Sequence, residues 1–230
     1  RFFKPYPAET DYPTIEGVLH LSNKYQVDSL RKRSLVHLGS VRLFEEENPS
    51  KIVPRKTSWT AAIQYLPSII ILCREVSALW ILPTVFRYYA QLYDHRTILG
   101  GHMSFDGRRI FLSQEDQLAV LTGARVLHTR KMSEFLDFIW YPQEIEGCKY
   151  PVKCLIARNE LRRTVERTKG DNFPDDVAIN LDQLKACRGC KAALQKSHRL
   201  AVETRQQSMP EVFGLPDWKT LDAMEASALE

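Results

Sequence analysis

The sequence is dominated by one long apolar block, Trp59 to Tyr93, in which apolar side chains occupy nearly every side of a helical projection. Such a pattern is typical of helices that are buried centrally and do not lie on a surface. Pro67 and Pro83 each lack a backbone N–H and clash with the preceding turn, so the block is predicted to split into two or three helices near them. Arg74 and Glu75 interrupt it further, and no uncharged run reaches the ~20 residues that a membrane span needs. The block therefore predicts the main core of a chain without a membrane span.

Helical spacing continues on the N-terminal side of this block. Pro13 can open a helix at its first turn, and Asp28 is predicted to cap a second helix. Apolar and small residues recur at intervals of three and four in both segments, so each helix has one face that packs. These positions are Ile15, Val18, Leu19 and Ser22 in the first helix and Leu30, Ser34, Leu35 and Leu38 in the second. The pattern predicts two short helices packed back to back.

The chain on the C-terminal side is also predicted to be helical. Gly100-Gly101 marks a break, after which Ser113 is predicted to cap a helix that ends near Gly123. Further helices are predicted at about 133–140, 153–168 and 181–208. No pair of alternating runs joined by an Asn-Gly or Asp-Gly turn announces a β-hairpin. The predicted fold class is therefore mainly α, a multi-helix bundle or helical array.

Composition changes along the chain predict four segments. They are residues 1–44, a linker at 45–57, a helical extension at 58–140 and a cysteine-containing helical region at 141–230. The linker is assigned because the chain there turns acidic and then rich in proline and lysine, with stop signals at Asn48-Pro49-Ser50 and Pro54. The last segment ends in an apolar anchor made by Val212, Phe213, Leu215 and Trp218.

Charge and composition place the chain among ordinary globular proteins. The 230 residues carry 32 Lys and Arg against 28 Asp and Glu, spread evenly, and 44% of the residues are hydrophobic. The one dense basic cluster, Arg31 to Arg33, is interpreted as a solvated helix face. No secretory signal follows Arg1, so the five cysteines are expected to be reduced thiols. We therefore expect an intracellular protein, in the nucleus or cytoplasm.

The sharpest chemical signal is a set of four cysteines, Cys148, Cys154, Cys187 and Cys190. Two residues separate the second pair and five separate the first pair. A C-x-x-C turn lets two thiolates reach one ion, and four soft ligands suit tetrahedral zinc. The lysines and arginines nearby would favour a zinc centre with four thiolates, which carries two net negative charges. The spacing predicts one structural Zn²⁺ that staples a small C-terminal region.

Other interpretations of the cysteines remain open on the sequence alone. The C-x-x-C pair could be a redox pair, although that chemistry expects a preceding strand and a helix dipole at Cys187, whereas the flanks are predicted to be helical throughout. The four thiols could also be unliganded, and His198 could replace one ligand. Cys73 lies inside an apolar run and is expected to be a small buried core residue.

Two strings resemble a known family. HLSNKYQVDSLRKRSLVHL at His20–Leu38 is similar to the closing helices of the BTB/POZ domain as it appears in large families of mushroom-forming fungi. MPEVFGLPDWKTL at Met209–Leu221 resembles the terminal element of the same family. Weaker similarity runs through the apolar block and the segment 112–123, so the resemblance covers nearly the whole chain and is strongest at 12–44 and 209–221.

The resemblance implies a particular organisation and role. Residues 1–44 would be only the C-terminal part of a BTB domain, with the family's sheet and first helices upstream. The implied role is non-enzymatic protein binding, in some branches as homodimers or as substrate adaptors for cullin-type ubiquitin ligases. Similar cysteine pairs recur in the corresponding region of the family, which supports the zinc interpretation.

These observations lead to one preferred function and one alternative. The preferred function is an intracellular protein–protein interaction module, with a protein partner or a second copy bound on the first two helices. The predicted partner-binding residues are Ile15, Val18, Leu19, Leu30 and Leu35. No phosphate loop, H-E-x-x-H or G-x-S-x-G motif is present, so no enzymatic activity is expected. The alternative is a zinc-containing nucleic-acid-binding module that uses the basic cluster at 31–33 or the stripe Arg158, Arg162, Arg163 and Arg167.

Overall fold

The computed structural model describes residues 3–40, 64–104, 107–130, 137–140, 144–167 and 181–230. Within these ranges the chain is almost entirely helical, which confirms the predicted mainly α fold. The described residues contain ten α-helices, namely α1 (Tyr12–Tyr25), α2 (Asp28–Gly39), α3 (Leu66–Glu75), α4 (Leu82–Leu92), α5 (His95–Gly100), α6 (Gln114–Arg130), α7 (Asp137–Trp140), α8 (Pro151–Arg167), α9 (Arg188–Val212) and α10 (Trp218–Leu229). None of these helices is both long enough and apolar enough to span a bilayer.

The described residues form two compact units. The first combines the described residues up to Ala124 with Met209–Glu230, and the second is Arg125–Ser208. These boundaries differ from the segments read from composition, which separate 1–44 from 58–140 and leave the terminal anchor with the cysteine region. The predicted linker at 45–57 lies outside the described residues.

Helices α1 and α2 form a helical hairpin. Asp11 caps α1 by accepting a hydrogen bond from the Thr14 amide at 2.8 Å, and Pro13 lies in the first turn as predicted. The predicted cap at Asp28 is wrong, because α2 begins at Asp28 itself and Val27 occupies the N-cap position. Gln26 adopts a left-handed φ of 53°, so the chain enters α2 almost directly. The Asp28 carboxylate then lies in the first turn, where the helix dipole favours negative charge.

The apolar block supplies most of the core of the first unit, as predicted from the sequence. Pro67 lies in the first turn of α3 and Pro83 in the first turn of α4, so each proline starts a helix where its missing N–H costs nothing. A short 3₁₀ turn at Leu79–Ile81 joins the two helices. The largest fully buried side chains of this block are Trp80, Tyr89, Phe86, Ile69, Ile70, Leu72 and Ile81. Cys73 is buried among them, which confirms its predicted place in the core.

A minimal β-hairpin follows α5, although the sequence predicts none. Strand β1 (His102–Met103) pairs antiparallel with β2 (Arg109–Ile110), so that His102 faces Ile110 and Met103 faces Arg109. Gly107 has a φ of 81°, a left-handed conformation that glycine adopts without strain. Strands of two residues are too short to produce an alternating pattern, and the prediction is therefore wrong at this point.

Helix α6 shows why one glycine is not a stop signal. Ser113 caps the helix as predicted, with its Oγ accepting from the Asp116 amide at 3.1 Å, but α6 continues past Gly123 to Arg130. A Cβ atom at Gly123 would overlap the ring of Phe213, and that ring lies 5.6 Å from the Phe86 ring, centroid to centroid. Because Gly123 has no side chain, Phe213 of the terminal anchor can pack into the core of the first unit. The predicted helix end near Gly123 is wrong.

The second unit has a small core of its own. Its buried apolar residues are Ile139, Ala157, Val165, Leu181, Leu184 and Leu194. Helix α8 begins at Pro151, two residues before the predicted start, and runs close to the predicted end. The last predicted helix is interrupted: a 3₁₀ turn occupies Leu181–Gln183, and α9 begins only at Arg188. The interruption lies directly before the second cysteine pair, Cys187 and Cys190.

Candidate metal centre

The four predicted cysteines come together in the second unit. One sulfur from each of Cys148, Cys154, Cys187 and Cys190 contributes to a cluster in which all four atoms lie within 4.8 Å of one another. All four are free thiols, with Cys154 and Cys190 buried and Cys148 and Cys187 half-buried. Four ligands around zinc at 2.3 Å in a tetrahedron would be ~3.8 Å apart. No sulfur–sulfur separation therefore exceeds the value that a single zinc ion needs by more than about 1 Å.

Three short segments position these side chains. Gly147 has a φ of 74° and turns the chain so that the Cys148 amide donates to the Ile145 carbonyl at 3.1 Å. Pro151 starts α8 and places Cys154 in its first turns. Cys187 directly precedes α9, and its carbonyl accepts from the Lys191 amide at 3.0 Å, which brings Cys190 into the first turn of that helix.

Backbone amides point at the sulfurs as they do around bound metal thiolates. The Cys187 amide donates to the Cys154 sulfur at 3.3 Å. The amides of Cys190 and Lys149 donate to the Cys187 sulfur and lower the pKa of that thiol to about 6. Burial acts in the opposite direction on Cys190 and raises the pKa of its thiol. Backbone donors thus stabilise the deprotonated form of Cys187, whereas burial disfavours that of Cys190.

The structure bears on two of the other interpretations of the cysteines, the redox pair and ligation by His198. Cys187 does lie at the N-terminus of a helix, so the expectation of helical flanks throughout is wrong, but the element before it is the 3₁₀ turn at Leu181–Gln183 and not a strand. All four sulfurs are grouped, whereas a redox pair needs only two. His198 is not among the clustered ligands, and its ring lies 6.2 Å from the ring of Phe138.

Sequence reasoning missed one charged residue beside the cluster. Arg158 follows Cys154 by one helical turn in α8 and is only 9% exposed. Its position four residues after a cysteine ligand is the signal that could have identified it, since residues at this spacing share a helix face. The lysines that the sequence places near the cysteines are mostly exposed, with Lys149, Lys153 and Lys185 at the surface.

The predicted partner-binding residues lie mostly inside the first unit. Ile15, Leu19 and Leu35 are fully buried, and Val18 and Leu30 are half-buried. In this structure these side chains pack within the chain's own core, and the assignment of a partner to them stays a prediction. The large apolar side chains that α1, α2 and their connection expose are Leu21, Tyr25, Val27 and Val36.

Most residues proposed for nucleic-acid binding are engaged within the chain. Arg31 donates to the Val76 carbonyl at 3.1 Å and Arg33 to the Phe3 carbonyl at 2.6 Å, so the interpretation of 31–33 as a solvated face is wrong. In the second stripe Arg158 is buried, and Arg162 donates to Glu166 at 2.9 Å. The side chain of Arg167 lies outside the described part of the chain. The structure thus leaves no continuous basic stripe among the described side chains of these two groups.

Comparison of the chain with protein-family models, curated proteins and solved structures finds no match. The similarity of residues 12–44 and 209–221 to BTB/POZ proteins therefore rests on the sequence strings alone. The metal chemistry rests on the four clustered thiols.

Proposed function

We propose that Cys148, Cys154, Cys187 and Cys190 hold one structural zinc ion. The observation that carries this proposal is the grouping of all four sulfurs within 4.8 Å. Thiolates are soft ligands, and a set of four is the usual shell of a structural zinc site. Because four protein ligands complete the tetrahedron, no position is left for a water or a substrate. The ion would serve the fold of the second unit and not a reaction.

Zinc would join two regions that are distant along the chain. The ligands come from the turn before α8, from α8 itself and from the start of α9, and 32 residues separate Cys154 from Cys187. The apolar core of this unit is small, so the burial of apolar side chains contributes little stability. Cross-linking through a metal would add to the stability of the unit.

Elemental analysis of the purified chain tests this proposal. We expect one zinc per chain, and we expect none of the five thiols to react with a thiol reagent in the native protein, because four would be liganded and Cys73 is buried. All five should react in denaturant with a chelator. Replacing Cys73 with alanine is the matched control and should leave the zinc content unchanged. A metal-free chain that takes up neither Zn²⁺ nor Co²⁺ would contradict the proposal.

We further propose that the chain is a non-enzymatic protein-interaction module of the BTB/POZ type that acts in the nucleus or cytoplasm. Exposed apolar side chains support a binding role. Leu21 and Tyr25 lie one turn apart on α1 and are 58% and 65% exposed, so together they form an apolar surface patch. A separate exposed group, Val152, Leu155 and Ile156, lies on α8 in the second unit. The partner would be a second copy or, by family resemblance, a cullin-type ubiquitin ligase.

Light scattering coupled to size exclusion tests the second-copy version. We expect a mass near twice the 26.6 kDa of the chain, because pairing would cover the exposed patch on α1. Leu21→Asp should return the mass to that of the single chain. Leu118→Asp, at a leucine that is 66% exposed on α6, is the matched control and should not. A wild-type chain that stays monomeric at high concentration would rule out self-association, and binding to a purified cullin would then decide the partner.

A further inference from the structure

Arg158 occupies an unusual position for an arginine. It lies on the face of α8 that also carries Cys154, Ala157 and Val165, all of them buried, and the opposite face of the helix is exposed. A guanidinium group is always charged in a protein, and burying it is costly unless opposite charge lies nearby. Negative charge nearby in the second unit would therefore stabilise Arg158 in this location.

The cysteine cluster provides that charge. Cys154 lies one helical turn before Arg158 on the same buried face of α8, and the other three sulfurs lie within 4.8 Å of the Cys154 sulfur. The helix therefore places Arg158 beside the cluster. Consistent with this placement, burial lowers the pKa of the Arg158 guanidinium and the thiols of Cys190, Cys148 and Cys154 act in the opposite direction. No sequence motif assigns such a role to Arg158, whose residue type had suggested a nucleic-acid contact.

Charge balance explains what the arginine contributes. One Zn²⁺ with four thiolates carries two net negative charges, which are unfavourable in a site where Cys154 and Cys190 are buried. Exposed lysines such as Lys149 and Lys153 interact through water, which weakens their effect. At equal separation, a charge pair at an effective dielectric constant of ~20 interacts about four times more strongly than a pair in water at ~80. A buried arginine is therefore the more effective counter-charge.

We propose that Arg158 is the positioning residue that offsets the negative charge of the four-thiolate zinc site and thereby raises its affinity for zinc. This inference rests on the proposed zinc function. The arginine does not ligate the metal, and it stabilises the deprotonated ligand set from the adjacent turn of α8. It also ties that stabilisation to the formation of α8, because the helix sets the spacing between Arg158 and Cys154.

Zinc competition with a chromophoric chelator tests the role of Arg158 in the full chain. Arg158→Met keeps an unbranched apolar side chain and removes the charge. We expect it to lower the zinc affinity by ~10-fold or more, as the mutation of residues that support metal ligands does. Arg158→Lys keeps a positive charge and should retain most of the affinity. Arg163→Met removes an exposed arginine from the same helix and should leave the affinity unchanged.

Circular dichroism and Co²⁺ absorption separate a charge effect from a loss of fold. The expected result is a Met variant with unchanged helix content and weakened metal binding. If the Met variant does not fold, Arg158→Gln, which keeps hydrogen-bond donors without charge, replaces it in the comparison with Arg158→Lys. Equal affinities for the wild type and a folded neutral variant would overturn the inference, as would a Lys variant that binds as weakly as the neutral one. A wild-type chain that binds no metal would instead overturn the proposed zinc function.

Discussion

Replacing Cys190 with serine is expected to abolish tight zinc retention and to unfold much of the second unit while the first unit stays intact. Cys190 is buried in the first turn of α9, and its sulfur is one of four that converge. A serine hydroxyl is a poor zinc ligand, so the tetrahedral shell would lose a member. Structural zinc in small peptides contributes ~10–16 kcal/mol of apparent free energy. The second unit has an apolar core as well, and we therefore expect a loss of several kcal/mol.

Hydrogen exchange measured by mass spectrometry distinguishes the two units. Amides in α8 and in the part of α9 up to Ser208 should exchange much faster in the serine variant, whereas amides in α3 and α4 should keep their protection. Cys73→Ser is the matched control, since Cys73 is equally buried but lies in the first unit. That variant should retain one zinc per chain and show faster exchange around α3 alone. Unchanged exchange in the Cys190 variant would mean that the cluster does not stabilise the unit.

Local signals in the sequence predicted much of the fold. Pro67 and Pro83 mark helix starts because a residue without an N–H fits the first turn, whatever the rest of the chain does. Ser113 caps α6 for an equally local reason. The grouping of the cysteines was also predictable, because a C-x-x-C turn presents two thiols together and leaves a second pair as the natural complement.

Contacts between distant segments could not be predicted from local signals in the sequence. Gly123 has the residue type of a helix stop, and only the ring of Phe213, far along the chain, shows that it serves close packing. Ile15, Leu19 and Leu35 have the pattern of an apolar surface, but whether a partner or the chain itself covers them depends on tertiary packing. Arg158 illustrates the same difficulty, since its burial depends on which face of α8 turns towards the core.

An ion pair joins two helices of the first unit, and its loss is expected to lower the stability of that unit strongly. Asp116 in the first turn of α6 accepts two hydrogen bonds from Arg74 at the end of α3, at 3.0 Å from Nε and 2.5 Å from Nη2. Its other oxygen accepts from the Ser113 hydroxyl at 3.0 Å, while Ser113 in turn accepts from the Asp116 amide. The helix cap and the bridge to α3 therefore depend on the same carboxylate.

Asp116→Ala is expected to destabilise the first unit by ~2–4 kcal/mol, because it leaves a partly buried guanidinium without its carboxylate and weakens the cap of α6. The range is below the full cost of breaking a buried pair, since the Arg74 side chain is 33% exposed and the Asp116 side chain 5%. Urea unfolding followed by tryptophan fluorescence reports on this unit through the buried Trp80, provided that all chains compared also carry Trp140→Phe, which removes the signal of the second unit.

Asp217→Ala is the matched control for this measurement. Asp217 also caps a helix of the first unit, with its carboxylate accepting from the Thr220 amide at 2.9 Å. It is exposed, however, and among the described residues it has no hydrogen-bond or ion-pair partner on a second helix. We therefore expect a smaller shift of the urea midpoint than for Asp116→Ala. Equal shifts for the two variants would mean that only the cap matters and that the bridge from Arg74 contributes nothing. A larger shift for Asp116→Ala that disappears when Arg74 is replaced by methionine in the same chain would assign the difference to the bridge itself.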